Sequence, residues 1–209
     1  MTLTKTAAKS RWTDSAFIES ARAGVQSIMA GASVLSDADL AGISIGKEGP
    51  VTGLAVANLY QARVQRSVFD FAEIEGSMNE SEFRHVSFRS ARLDGCVMRK
   101  SVLSDCTFAG ARLVINLDDS KLERCDFSSA SFSSGKAGHE RGGRRVKFFD
   151  CRFVGAVFRS VQFRASEFVS CSFEDAKFVS CDLRGVKAMG GVLPRADQFE
   201  RMDVPEWAI

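Results

Sequence analysis

The stretch FRASEFVSCSFEDAKFVSCDL, residues 163–183, carries a large apolar residue at every fifth position. These residues are Phe163, Phe168, Phe173, Phe178 and Leu183. Neither regular element explains the spacing, because helix faces recur about every 3.6 residues and strand faces about every two. A repeat of five therefore predicts short extended pieces that alternate with tight corners.

The same spacing continues through most of the chain, so that about 160 of the 209 residues keep one register. A small residue, mostly Ala, Ser or Cys, lies two positions before nearly every centre, and the other three positions are largely charged or polar. We therefore expect one large and one small residue of each five to point inward. Earlier centres are Leu54, Leu59, Val64, Phe69, Ile74, Phe83, Phe88, Leu93, Met98, Leu103, Phe108, Leu113, Leu122, Phe127, Phe132, Phe148, Phe153 and Phe158.

Four such sides close a square coil of roughly twenty residues, and stacked coils pair as parallel strands about 4.8 Å apart. About eight coils would form a tower about 40 Å tall. Equivalent centres then stack one coil apart, which pairs Phe148 with Phe168, Phe153 with Phe173 and Phe158 with Phe178. The sequence predicts an all-β solenoid with an aromatic interior.

These units resemble the tandem A(D/N)LXX-like units of the pentapeptide-repeat family, and residues 38–42, ADLAG, have this form. More than twenty units in one register make chance periodicity a poor explanation. The resemblance implies a right-handed quadrilateral β-helix. The best-characterised members bind bacterial type II topoisomerases and protect them from quinolones or peptide poisons with a DNA-like rod, so the resemblance implies a binding role.

Three segments divide the chain. Residues 1–31 are expected to form an N-terminal tail and capping helix, residues 32–193 the β-helix with a loop at 133–147, and residues 194–209 a C-terminal cap. The ends need covers because an open coil exposes unpaired strand edges.

The two covers have different sequence signals. Apolar residues recur at helical spacing over 13–30, behind Thr13 or Asp14 as the N-cap, and this pattern predicts one capping helix. The C-terminal segment is predicted either to cap the last coil or to form a homodimer, as the resemblance implies for gyrase-targeting relatives. Its apolar residues are Phe199, Met202, Trp207 and Ile209.

Length and charge are ordinary for one soluble domain. The formal net charge is +2 and the pI is near 8.2, too mild by themselves to indicate a nucleic-acid or membrane partner. No run of about 18 apolar residues occurs. The first twenty residues also lack the apolar stretch that a signal peptide needs. We expect a cytoplasmic protein with no membrane partner.

Catalytic and metal sites have little support in the sequence. Every cysteine lies two positions before a centre, where it serves as a compact apolar filler. We expect only Cys151 and Cys171 to stack directly, without a zinc site or disulfide. The two histidines, His85 and His139, lie in no recognisable nucleophile motif. The sequence therefore predicts a protein that is not an enzyme and has no cofactor. The cysteines are Cys96, Cys106, Cys125, Cys151, Cys171 and Cys181.

The largest interruption of the repeat is SSGKAGHERGGRRVK, residues 133–147, which has four glycines and no apolar centre. It predicts a flexible basic loop that projects from the wall. A long loop in a minimal scaffold is often functional, and an insertion tolerated at the surface is the alternative. The candidate partner-binding residues are Lys136, His139, Arg141, Arg144, Arg145 and Lys147.

Two other surfaces are candidates for contact. An acidic face that imitates DNA would need the acids of the 54–130 segment on one side of the tower. Those acids are Glu73, Glu75, Glu80, Glu82, Asp94 and Asp105. Apolar residues at outward positions indicate a second contact face. These residues are Phe149, Val154 and Val169.

Three functions are compatible with the sequence. The resemblance favours protection or modulation of a type II topoisomerase, either DNA gyrase or topoisomerase IV. The alternative is a protein-interaction scaffold, such as an effector, an immunity partner or a regulatory module, acting through the loop or the apolar face. Direct nucleic-acid binding through the loop arginines is less favoured, because the loop lacks the aromatic residues on which single strands stack.

Overall fold

The five-residue repeat winds the chain into square coils with four walls. The computed structural model describes residues 3–31, 34–135 and 141–209, which form a parallel β-solenoid preceded by short helices. Strands on the first and third walls build two eight-stranded parallel sheets, in which each strand pairs with its equivalents in the adjacent coils. The predicted all-β solenoid is confirmed.

Most strands have three residues, because each inward centre has one outward neighbour on either side. The first wall contains β1 (Val34–Ser36), β3 (Arg63–Gln65), β5 (Glu82–Arg84), β7 (Val102–Ser104), β9 (Lys121–Glu123), β11 (Lys147–Phe149), β13 (Glu167–Val169) and β15 (Lys187–Met189). The third wall contains β2 (Ser44–Ile45), β4 (Glu73–Ile74), β6 (Arg92–Val97), β8 (Arg112–Asn116), β10 (Ser131–Ser133), β12 (Val157–Arg159), β14 (Lys177–Val179) and β16 (Phe199–Glu200).

The second and fourth walls carry single parallel bridges instead of strands. Bridges on the second wall join Asp39, Val68, Ser87, Thr107, Asp126, Arg152, Ser172 and Val192. Those on the fourth wall join Ser77, Val97, Asn116, Gly142, Gln162 and Asp182. Backbone N–H and C=O groups therefore bond between coils on all four walls, which sets a rise of about 4.8 Å per coil.

Centre residues stack into columns inside the tower. The second-wall column holds six phenylalanine rings with centroids 4.9–5.2 Å apart: Phe69, Phe88, Phe108, Phe127, Phe153 and Phe173. The predicted pairs stack with centroids 4.7–5.1 Å apart: Phe148 on Phe168, Phe153 on Phe173 and Phe158 on Phe178. This buried aromatic interior supplies the main stabilising term of the fold.

Short helices cover the first coil. They are α1 (Lys5–Ser10), a 3₁₀ turn (Arg11–Thr13), α2 (Ser15–Ser20) and α3 (Arg22–Met29). Trp12 anchors them: its side chain is buried, and its indole Nε1 donates a hydrogen bond to the carbonyl oxygen of Ala41 at 2.8 Å.

The N-terminal helices differ from the single helix expected over 13–30. Asp14 caps α2 as predicted, because its carboxylate accepts a hydrogen bond from the Ala16 N–H at 2.9 Å. The helix breaks at Ala21, which ends α2 and begins α3. The sequence did not predict α1, since KTAAKS is short and mostly polar and its only buried residue is Ala8.

The C-terminal segment folds back on the last coil. It begins with a 3₁₀ turn (Ala196–Gln198), after which Phe199 stacks on Phe178 with centroids 4.9 Å apart. Phe199 is thus the last member of the third-wall column. Trp207 packs edge-on against Phe199 at 6.0 Å, and the Ile209 N–H donates to the Pro194 carbonyl oxygen at 3.0 Å.

Changes of coil length fall at one corner, between the third and fourth walls, in the coils before Leu193. A regular step across this corner takes five residues, as from Phe158 to Phe163. Irregular steps take fourteen residues from Ile45 to Leu59, four from Ile74 to Met78, four from Leu113 to Leu117 and eleven from Phe132 to Gly143. We call this edge of the tower the interrupted corner.

Candidate functional site

The basic insertion leaves the tower at the interrupted corner of the fifth coil. The coil resumes at Gly142, which bridges Asn116 in the coil before and Gln162 in the coil after. Glycine is needed there, because φ is +110° and a Cβ atom would lie 2.3 Å from the Gln162 carbonyl oxygen. Residues 142–147, assigned to the loop from the sequence, therefore lie in the walls.

Arg144 and Arg145 face outward from the fourth wall and its next corner. The Arg144 guanidinium lies 3.0 Å from the Asp118 carboxylate, which also accepts the Arg144 backbone N–H at 2.8 Å. Arg145 donates two hydrogen bonds to Asp119 at 2.6 and 2.8 Å, and this contact lowers the pKa of the Asp119 carboxyl. Both arginines stay about half exposed, so the acids position them without covering them.

The other candidate residues of the loop lie apart from Arg144 and Arg145. Lys147 begins β11 and faces solvent on the first wall. Arg141 is half-buried, and among the described residues its buried Nε has no hydrogen-bond partner. Lys136 and His139 lie outside the described residues.

The fifth coil has no large centre on its fourth wall. Gly143 stands there, in the column between Leu117 and Phe163. Val146 fills the space: it is fully buried, and a Cβ atom on Gly143 would lie 2.5 Å from its Cγ2. The core therefore stays continuous past the insertion.

The candidate acids do not gather on one wall. Glu73, Glu75 and Asp94 share the third wall near the N-terminal end, where cations surround them. Glu73 accepts hydrogen bonds from Lys9 of α1 and, at 3.1 Å, from Lys47. These bonds, chiefly the one from Lys9, lower the pKa of Glu73 to about 2 against the opposing effect of partial burial.

The remaining acids lie on other edges of the tower. Asp94 is itself paired with Arg92 and, at 3.3 Å, with Arg112. Glu80 and Glu82 flank the corner between the fourth and first walls, while Asp105 lies at the corner between the first and second walls and pairs with Arg124. The six acids thus occupy separate edges and are partly neutralised.

An apolar row runs along the first wall. Phe149 of β11 pairs in register with Val169 of β13, and Met189 of β15 continues the row with 53% of its surface exposed. We call these three residues the apolar ladder. Val154 faces outward from the second wall and is not part of it. The sequence reasoning missed Met189, because Ala188 replaces the large centre that would have marked this strand.

Four cysteines stack in one column behind the second wall: Cys106, Cys125, Cys151 and Cys171. The expectation that only Cys151 and Cys171 stack is wrong, because the short fourth coil and the insertion of the fifth bring the other two into register. Each thiol donates to a carbonyl oxygen of the preceding coil at 3.5–3.7 Å. Burial raises the pKa of the Cys151 thiol, which favours a neutral packing role.

Other kinds of site are sparse over residues 3–31, 34–135 and 141–209. No group of three or more His, Cys, Asp or Glu side chains is arranged there to hold a metal ion. Nor does any described helix combine the length and apolar character that crossing a bilayer requires. A half-open cavity of about 440 Å³ lies between α2, α3 and β1. The outward-facing residues of the walls are therefore the main candidate surfaces for contact with a partner.

These features define a class of protein, the quadrilateral β-solenoid built from five-residue repeats. The family model described as pentapeptide repeats matches the chain in eight copies, over residues 81–114 and 146–187. These two segments, in the part of the tower with the most regular spacing, match the repeat family that the spacing resembled. A comparison with curated protein sequences finds no match.

Solved structures with a similar fold have low sequence identity to the chain. A trypsin-treated form of QnrB1, described as a plasmid-mediated fluoroquinolone resistance protein, is 15% identical over 75% of this chain and 92% of that chain, with a TM-score of 0.41. HetL, a pentapeptide repeat protein involved in heterocyst differentiation regulation in the cyanobacterium Nostoc, is 17% identical over 73% of this chain and 81% of that chain, with a TM-score of 0.29. Similarities of this size carry no argument about function.

Proposed function

We propose that this chain is a binding protein without a catalytic step, whose partner is a type II DNA topoisomerase, either DNA gyrase or topoisomerase IV. It would modulate that enzyme or protect it from a poison. The observation that carries the proposal is the unbroken stacking of the coils into two continuous parallel sheets. Eight coils at about 4.8 Å give surface rows about 34 Å long, the length of about ten base pairs of duplex DNA.

The charge pattern decides how such a contact would work. The candidate acids lie on separate edges, and Glu73 and Asp94 are held by cations of the same chain. An acidic imitation of DNA has no support from this arrangement. The proposed contact therefore relies on the shape of the rod and on the interrupted corner, where the insertion leaves the wall.

A supercoiling assay with purified DNA gyrase tests the proposal. The protein should restore supercoiling in the presence of a quinolone or a peptide poison, or inhibit gyrase when added alone. Topoisomerase IV decatenation should be run beside it, because either enzyme satisfies the proposal. No effect on either enzyme at concentrations up to about tens of micromolar, where weak transient contacts still register, would reject it.

The apolar ladder favours a second candidate, a protein-interaction scaffold. Exposed apolar rows of this kind mark contact surfaces, and Met189 is more than half exposed. A partner captured from the native host by the wild type should be lost with Met189→Asp and retained with Arg159→Asp, an exposed change on the third wall. Equal capture by both variants would reject the ladder as the contact.

We also propose that a second copy can dock at the C-terminal end. Among the described strands, β15 has no following strand on the first wall, although β16 continues the third wall. Sedimentation velocity would distinguish a dimer from a monomer. A single monomeric species at all concentrations tested would reject this part of the proposal.

A further inference from the structure

Cationic side chains concentrate along the corner between the fourth and first walls. Backbone bonds fix the stacking on its fourth-wall side, where the Asp119 N–H donates to the Arg144 carbonyl oxygen at 2.9 Å and the Arg145 N–H to that of Arg164 at 3.0 Å. The Ala165 N–H donates likewise toward the next coil. On its first-wall side, the strand register aligns Lys121 with Lys147. Two columns of stacked positions therefore flank one edge of the tower.

We call this edge, from the fourth wall of the third coil to the first wall of the eighth, the basic ridge. Its cations are Arg99, Lys100, Lys121, Arg144, Arg145, Lys147, Arg164, Arg184 and Lys187. The acids on or beside it are Asp118, Asp119, Glu123, Glu167 and Asp182. Nine cations against five acids give a formal charge of +4, whereas the whole chain carries +2. The rest of the chain is therefore net negative by two, and the formal positive charge is concentrated on the ridge.

The acids of the ridge hold the arginine side chains in position and leave them accessible to a ligand. Asp118 has only 4% of its side chain exposed and lies under Arg144, whose own side chain is 44% exposed. Asp182 contacts Arg164 at 2.6 Å and Arg184 at 2.7 Å, and Arg184 keeps 75% of its side chain exposed. The exposed parts of these arginine side chains are accessible to a ligand.

The axial spacing of the ridge fits a nucleic-acid backbone. Five coils at about 4.8 Å span about 19 Å, so the net charge amounts to about one per 5 Å, against one phosphate per 3.4 Å along each strand of a duplex. Arginine also matches phosphate in geometry through paired N–H donors. No aromatic side chain stands in the two columns, which removes the stacking that single-strand binders use.

We propose that the basic ridge binds the phosphate backbone of duplex DNA without regard to base sequence. Among the described residues, the ridge is a row of wall positions with no helix or loop that enters a groove, so it reads charge and spacing only. This binding is separate from the proposed contact with a topoisomerase, because it requires no enzyme.

Fluorescence anisotropy with a labelled duplex of about 20 base pairs, at about 50 mM salt and without topoisomerase, tests the proposal. The test variant reverses three exposed ridge charges: Lys100→Glu, Lys147→Glu and Lys187→Glu. The matched control reverses three exposed charges on the second and third walls: Arg89→Glu, Arg152→Glu and Lys177→Glu. Both variants change the net charge equally, and all six positions are exposed.

We expect the ridge variant to weaken duplex binding by at least about tenfold and to flatten the salt dependence by about one unit of slope per lysine, with a much smaller change in the control. No binding by the wild type, or an equal loss in both variants, would overturn the proposal. Preference for poly-glutamate over duplex would overturn it in favour of an acidic protein partner. Preference for single-stranded DNA would overturn the duplex assignment. The titration with gyrase in the absence of DNA keeps the proposed topoisomerase contact distinguishable from this binding.

Discussion

Phe153 illustrates how one residue holds the tower together. Its ring is fully buried in the second-wall column, 5.1 Å from the ring of Phe127 and 5.1 Å from that of Phe173. A coil that loses such a ring loses contacts with both neighbouring coils at once. The five-residue spacing of the sequence therefore encodes cohesion along the tower, as well as the fold of each coil.

Replacing Phe153 with Ala should lower the free energy of unfolding by about 3–5 kcal/mol, the range for deleting a buried aromatic ring. Phe149→Ala is the control, because Phe149 is the next aromatic on an outward position, and it should cost about 1 kcal/mol or less. Urea denaturation followed by circular dichroism measures both. Equal losses would mean that the inward and outward positions are wrongly assigned.

Gly142 is a second residue whose type is dictated by its surroundings. Gly142→Ala would place a Cβ atom against the Gln162 carbonyl oxygen at an unfavourable φ, so it should cost about 1–3 kcal/mol. Gly155→Ala is the matched control: φ is +64°, the atom nearest to the added Cβ would be Ser129 Oγ at 3.7 Å, and other corners carry Ser or Asp. We expect the first variant to melt well below the second, and the same melting temperature for both would contradict this.

At the scale of elements, the N-terminal helices are tied to the solenoid by polar contacts as well as by Trp12. Glu73 of β4 receives hydrogen bonds from Lys9 of α1 and from Lys47. These residues are 64 and 26 positions apart from Glu73 in the sequence. No local sequence pattern links the two lysines to Glu73. Neither this contact nor α1 could therefore be predicted from the sequence. The Asp14 cap was predictable because it acts within one turn of helix.

The Glu73 contact makes the attachment of α1 sensitive to acid. Its folded pKa of about 2 lies below the ordinary value of 4.5, so its contribution to stability is complete above about pH 5 and is lost as the pH falls from about 4.5 toward 2. Glu73→Gln should therefore destabilise the protein at pH 7 and by progressively less below pH 4.5. The free energy of unfolding of both proteins across this range gives the answer. A difference that stays constant down to pH 3 would contradict the pairing.

The insertion is the element on which the proposed function depends most. Deleting residues 135–140 shortens the step from Phe132 to Gly143 from eleven residues to five, the same length as from Phe158 to Phe163. The shortened chain should keep its fold and melting temperature, because these residues supply no centre of the repeat. It should lose the effect on gyrase. Retained protection with an intact fold would assign the contact to the walls instead.

At the scale of the whole molecule, the repeat predicts the tower but not which residues share an edge. Membership of a column depends on the length of every coil between two residues, and these lengths vary at the interrupted corner. Cys106 and Cys125 joined the column of Cys151 for this reason. The basic ridge could not be predicted for the same reason. Arg99 and Arg184 lie on one edge only when the lengths of the short fourth coil and of the insertion are both known.

Binding of this rod to a type II topoisomerase can be measured at equilibrium, without the enzymatic reaction. Fluorescently labelled protein is titrated with purified gyrase, and separately with topoisomerase IV, in the absence of DNA. We expect saturable binding to at least one enzyme, weakened by deletion of residues 135–140. Absence of saturable binding to both enzymes, with a protein whose circular dichroism confirms the solenoid, would contradict it.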